Sequence, residues 1–116
     1  MPNIEFFKTS LGKCPIITFL DSLTGKQAQK ITWVLEVFEE TDIMAKQYFK
    51  KLKNTDDIWE IRVIYSGNIF RLLGFFDSNN IFILTNGFVK KTQKTPIGEI
   101  RIAEKRKIEY LKRKIK

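Results

Sequence analysis

Near residue 58 the apolar positions change their period, from the three-to-four spacing of helices to the two-residue alternation of strands. Upstream, Ala28, Ile31, Val34, Leu35 and Phe38 recur at helical spacing, with Lys30, Glu36, Glu39 and Glu40 turned outward. This predicts an amphipathic helix over about 25–40. Thr24 followed by Gln27 fits a capping box at its start. Pro15 suits the first turn of a shorter helix that buries Ile16, Ile17, Phe19 and Leu20 and ends near Ser22. Residues 3–8 read as a short strand, closed by the Ser10-Leu11-Gly12 break. Residues 44–52 are expected to add a helical turn or two, with Tyr48, Phe49 and Leu52 inward.

Downstream of Asn54-Thr55-Asp56-Asp57, segments 58–64, 69–76 and 81–88 read as three strands. The loops between them, Ser66-Gly67-Asn68 and Asp77-Ser78-Asn79-Asn80, carry turn residues and are short enough to force antiparallel neighbours. Pro96 precedes a last helix with Ile97, Ile100, Ala103, Ile108, Leu111 and Ile115 along one stripe. Strand, helix, helix, three-strand meander and C-terminal helix make an α+β fold with a small antiparallel sheet. No linker or repeat interrupts residues 1–116, so a single domain is expected.

Alternation places Glu60 and Arg62 on one face of the first meander strand, with Trp59, Ile61 and Val63 on the other. We read the latter three as core under the helices. If Ser66-Gly67 is the two-residue hairpin loop, Arg62 lies opposite Arg71; a turn at Gly67-Asn68 moves Arg71 one diagonal step away. Either register brings two guanidinium groups together, which costs stability unless something compensates. Glu60 could bridge them, or a phosphate could, since paired guanidinium forks match its oxygens.

Charge sharpens this picture. Residues 1–89 hold 10 Lys+Arg against 10 Asp+Glu, whereas 90–116 hold 11 against 3, so the net +8 lies in the C-terminal 27 residues. A pI near 9.7 suggests a polyanionic partner, nucleic acid or an acidic protein. The single cysteine, Cys14, forms no internal disulfide, and no stretch approaches the roughly 20 apolar residues of a membrane span. With an acidic rather than basic N-terminal segment, a cytoplasmic protein is expected, with no membrane association. The chain contains no histidine, which removes the commonest general base and metal ligand together.

Lys51-Leu52-Lys53, Ile58-Trp59-Glu60-Ile61-Arg62-Val63, Gly67-Asn68-Ile69-Phe70-Arg71-Leu72-Leu73 and Gly87-Phe88-Val89-Lys90-Lys91-Thr92-Gln93-Lys94-Thr95-Pro96 form a series. It resembles the RelE/ParE superfamily of type II toxins, in particular its phage-derived, HigB-like branch. The resemblance covers residues 51–96, extends into Glu99-Ile100-Arg101-Ile102-Ala103, and holds in layout before that. It implies a RelE-like sheet and a ribosome-dependent mRNA endonuclease that cleaves by metal-free acid–base chemistry and inhibits translation. It also implies a HigA-like helix-turn-helix antitoxin as partner, the ribosome and mRNA as targets, and no small-molecule cofactor. The chain departs from the best-known RelE enzymes, which carry a lysine where Glu60 stands, and from relatives that use a histidine.

On this resemblance Arg71 stabilises the transition state and Arg62 shares phosphate binding. Glu60, Lys90 and Lys91 are the candidates for general base; a lysine serves if burial and neighbouring cations depress its pKa. Lys53, Phe88, Lys94, Lys105 and Arg106 are expected to contact RNA, Phe88 by stacking on a splayed base. Two competing readings are a non-catalytic ParE-like toxin that binds a protein such as gyrase, and a general RNA-binding module.

Overall fold

The computed structural model describes residues 2–41, 47–78, 80–90 and 94–115. Its elements are β1 (Asn3–Phe6), α1 (Pro15–Asp21), α2 (Gly25–Glu40), β2 (Phe49–Lys51), β3 (Trp59–Tyr65), β4 (Asn68–Ser78), β5 (Ile81–Val89) and α3 (Ile97–Ile115). The five strands form one sheet in the order β1-β5-β4-β3-β2. Helix and strand alternation behaves as the pattern predicts: α2 begins at a reciprocal Thr24–Gln27 capping box, and Pro15 opens α1.

The β3–β4 hairpin turns through Ser66 and Gly67, at φ of 49° and 81°. Both central residues are left-handed, as a tight hairpin turn requires to match strand twist. Tyr65 therefore pairs with Asn68 and Arg62 with Arg71. Between Leu73 and Gly74 the β4–β5 register slips. A side chain at Gly74 would meet the Ile83 carbonyl at 2.3 Å, so the strands approach more closely there than any Cβ would allow.

Two expectations about the sheet change. It is mixed rather than purely antiparallel, because β1 joins β5 in parallel, Asn3 opposite Ile81. The stretch expected to be helical, 44–52, instead supplies the edge strand β2, paired antiparallel to β3; residues 42–46 lie outside the described residues. Three residues make a weak strand, and aromatic packing explains why this one holds. Phe49 stacks on Trp59 at 4.7 Å and meets Phe38 edge-on at 4.9 Å. Leu52 is buried as expected, but Tyr48 is exposed.

Each face of the sheet carries its own core. On one, α1 and α2 bury Ile16, Ile31, Leu35 and Phe38 against Ile61, Val63, Leu72 and Leu84. On the other, α3 covers Phe7, Ile58, Leu73, Phe75 and Ile83. Helix α3 uses only part of the stripe its aliphatic spacing suggested. Ile100, Ala103 and Tyr110 face the sheet, while Ile97, Ile108 and Leu111 are exposed and the Ile115 side chain is outside the described residues. Polar anchors override the aliphatic pattern. Arg106 donates to the Thr85 carbonyl at 2.9 Å, and Arg113 donates to the Lys8 carbonyl at 2.7 Å while lying over the Phe7 ring.

Asp77 latches the far end of α3, accepting from the Tyr110 hydroxyl at 2.9 Å and from Lys114 at 2.6 Å. The Lys114 ammonium, bonded to Asp77, holds that carboxyl below the usual range. Burial, reinforced by Asp77, pushes the Tyr110 hydroxyl up to about 12. An unfolded tyrosine ionises near 10, so this contribution is complete below pH 10 and is lost as pH climbs through about 12. Tyr110→Phe should cost about 1 kcal/mol in neutral urea titrations and flatten the alkaline loss of stability between those two values. An equally steep alkaline loss in the variant would disprove the latch.

Candidate active site

Strand register lays out the uncovered half of the α3-side face as a grid. Lys50, Glu60, Leu73 and Asn86 form one row across β2, β3, β4 and β5. Arg62, Arg71 and Phe88 form the next, with Tyr48 flanking Arg62, whose amide donates to the Tyr48 carbonyl at 2.8 Å. Because that amide points towards β2, Arg62 and Arg71 form a non-hydrogen-bonded pair across β3 and β4. Side chains come closest at such pairs, so the two like charges meet at the shortest cross-strand spacing a sheet offers. Lys90 leaves β5 one step further on, its amide bonded to the Ile69 carbonyl at 2.7 Å.

Glu60 compensates. Its carboxylate is only 1% exposed and accepts from Arg71 Nη1 on one oxygen. The other oxygen accepts from the Thr95 hydroxyl at 2.6 Å. The same carboxylate thus orients one guanidinium and ties the chain after the lysine segment back onto the sheet. Both alternatives for the compensation therefore have a place: Glu60 neutralises Arg71, and positive charge is still left over. The Nε atoms of Arg62 and Arg71 are buried and have no hydrogen-bond partner among the described residues. Buried donors are almost always satisfied, so these two mark a place for an acceptor.

The side chains of both arginines, with Gln47, Tyr48, Lys50 and Glu60, line a hollow of about 70 Å³. Burial lowers the Lys90 pKa below the usual lysine value. Arg71, Arg62 and Lys50 push it the same way, and Glu60 opposes them. A lysine so placed gives up its proton more readily than a solvated one. Among the described residues, no group of three or more His, Cys, Asp or Glu could hold a metal ion.

Of the residues singled out from sequence, Glu60, Arg62, Arg71, Phe88 and Lys90 come together here. Lys91 lies outside the described residues, with Thr92 and Gln93, and Lys94 is exposed just before the Thr95 anchor. Lys53 lies elsewhere, beside a separate surface hollow with Lys51, Leu52, Asn54 and Thr55. Lys105 and Arg106 belong to α3, where Lys105 is exposed and Arg106 is committed to the Thr85 carbonyl. Sequence reasoning missed Tyr48 and Lys50 because reading 44–52 as helix removed them from the grid. It missed Thr95 because a side-chain bond spanning 35 residues has no local signature.

The model of a family described as "Phage derived protein Gp49-like (DUF891)" matches residues 18–108, the span from α1 to most of α3. No curated protein matches the chain.

The Glu60–Arg71 pair should behave as a unit in equilibrium unfolding. Glu60→Leu strands a buried guanidinium and should cost about 3–5 kcal/mol, whereas Glu60→Leu with Arg71→Leu should recover most of that loss. Strictly additive losses in the double variant would mean that the two charges are not coupled.

Proposed function

We propose that this chain, which belongs to the Gp49-like family of phage-derived, toxin-like proteins, is the toxin of a type II toxin–antitoxin pair and cleaves mRNA on the ribosome. The observation that carries this reading is the cross-strand pair Arg62 and Arg71, whose side chains line one hollow and whose buried Nε atoms have no partner among the described residues. A phosphodiester supplies the acceptors those donors lack, and single-stranded RNA presents its phosphates accessibly. Its natural partner in this reading is a HigA-like helix-turn-helix antitoxin.

Cleavage needs a base, an acid and positive charge beside the phosphate. Arg71, held by Glu60, faces the phosphate and stabilises the charge that builds on its oxygens as the 2′-oxygen attacks phosphorus. Arg62 binds the same phosphate from β3. Lys90 is the base: in its neutral form it takes the proton from the 2′-hydroxyl as the bond from phosphorus to the 5′-oxygen breaks. An ammonium group of the segment 90–94 returns a proton to the departing 5′-oxygen. The products are a 2′,3′-cyclic phosphate and a 5′-hydroxyl. Glu60 is the positioning residue here rather than the base, because both of its oxygens are already engaged.

Primer extension on translated mRNA tests the activity. Wild type should cut at discrete positions, and Lys90→Gln should lower the single-turnover rate by roughly 100-fold or more, the scale of a lost general base. No cleavage by wild type, or full activity in Lys90→Gln, would reject the proposal. The pH profile carries an independent sign. Only neutral Lys90 accepts a proton, so the rate should rise with pH through its depressed pKa. Arg62→Ala removes a cation that lowers that pKa, so the rising limb should move to higher pH. An unmoved limb would place the base elsewhere.

A further inference from the structure

Around the open side of β3, beyond Phe49 at the start of β2, runs a groove of about 410 Å³. Trp33 and Val37 of α2 form one wall, and Ile64 and Tyr48 the other. Trp33 is 56% exposed and Ile64 46% exposed, although both are large and apolar. Among the described residues of the lining, the charged ones are Lys30 and Arg62, and none is a carboxylate. The Lys30 ammonium lies 4.8 Å from the centroid of the Trp33 ring. Tyr48 and Arg62 line this groove and the arginine hollow alike, so the two cavities adjoin across those two side chains.

We propose that the groove is a nucleobase subsite, which holds a base of the RNA strand whose phosphate occupies the arginine hollow. The proposal rests on the reading of that hollow as a phosphate site and adds what lies beside it. In a nucleic acid the base is tethered to its phosphate through one ribose, so a cationic hollow sharing two side chains with an aromatic groove matches the covalent layout of one nucleotide. Trp33 and Tyr48 offer ring faces on which a base stacks, and any base has a π-face to present. Arg62 lies at the junction, where its guanidinium plane meets the base and its donors meet the phosphate. An apolar peptide would fill the same space, but it would leave the cationic junction without an anion.

The experiment compares two single-stranded ligands that cannot be cleaved: a 2′-O-methyl RNA tetramer and the same sugar-phosphate backbone without bases. The tetramer should quench the fluorescence of Trp33, identified as the part of the signal lost in Trp33→Phe; the abasic backbone should not. Trp33→Ala should weaken tetramer binding roughly tenfold, the scale of one lost stacking contact, and leave abasic binding unchanged. Arg62→Ala should weaken both ligands. If wild type binds both ligands equally and Trp33→Ala changes neither, the subsite is wrong while the phosphate reading survives, and the groove is left to a protein partner. If wild type binds neither, both readings fall. Trp33 is exposed on α2, so its replacement does not hollow out the core.

Discussion

A carboxylate with almost no solvent contact, Glu60, holds one of two arginines that the hairpin register forces together. Much else about this protein follows from that constraint. Burying Glu60 and Arg71 on a five-stranded sheet, with Arg62 half-buried beside them, is costly unless the charges find partners. Glu60 satisfies Arg71 and also accepts from Thr95, which anchors the chain between β5 and α3 onto the sheet. Arg62 and the unpartnered Nε atoms keep a surplus of positive charge in place. A sheet that satisfied all its buried donors internally would be more stable and would have no reason to take up an anion.

The layout of the two faces explains how such a site coexists with a stable domain. Helices α1 and α2 bury one side of the sheet, and its core continues to the aromatic cluster around Phe49 and Trp59. Helix α3 covers only part of the opposite side, where Leu73, Phe75 and Ile83 supply apolar contact. Asn86 marks the boundary. It is buried on the arginine side of that core and donates to Glu99 at 2.9 Å, at the start of α3. Apolar burial stabilises one portion of the face, and the remainder is free to carry charge.

The excess charge of the C-terminal 27 residues is likewise divided by the fold. Arg106, Arg113 and Lys114 are spent on carbonyls and on Asp77, where they fasten α3 to the sheet. Lys90 stands at the opposite end of this span, beside the arginines, and burial first, then those arginines, lower its pKa. A basic segment that looks uniform along the chain is therefore structural along α3 and electrostatic at the exit from β5.

Much was legible in the linear sequence because local rules govern it. Capping at Thr24, Pro15 at a helix start, the alternation of β3 and the turn residues between the strands act within a few residues, and they placed α1, α2 and the meander. Turns at Ser66-Gly67 and at Gly67-Asn68 were both open in the sequence, and each brings Arg62 and Arg71 onto one face; the fold takes the first, which sets them directly opposite. Tertiary structure decided the rest. Whether 49–51 is strand or helix depends on Phe49 reaching Trp59 and Phe38, contacts no short window contains. Which side of α3 faces inward depends on partners at Lys8, Asp77 and Thr85, all distant in sequence. The sequence alone thus determined which arginines meet; only the folded chain decided that Glu60 and Thr95 would hold one of them and that Tyr48 would stand beside the other. Strand pairing is set by turn chemistry, whereas the satisfaction of a buried charge depends on every element that closes over it.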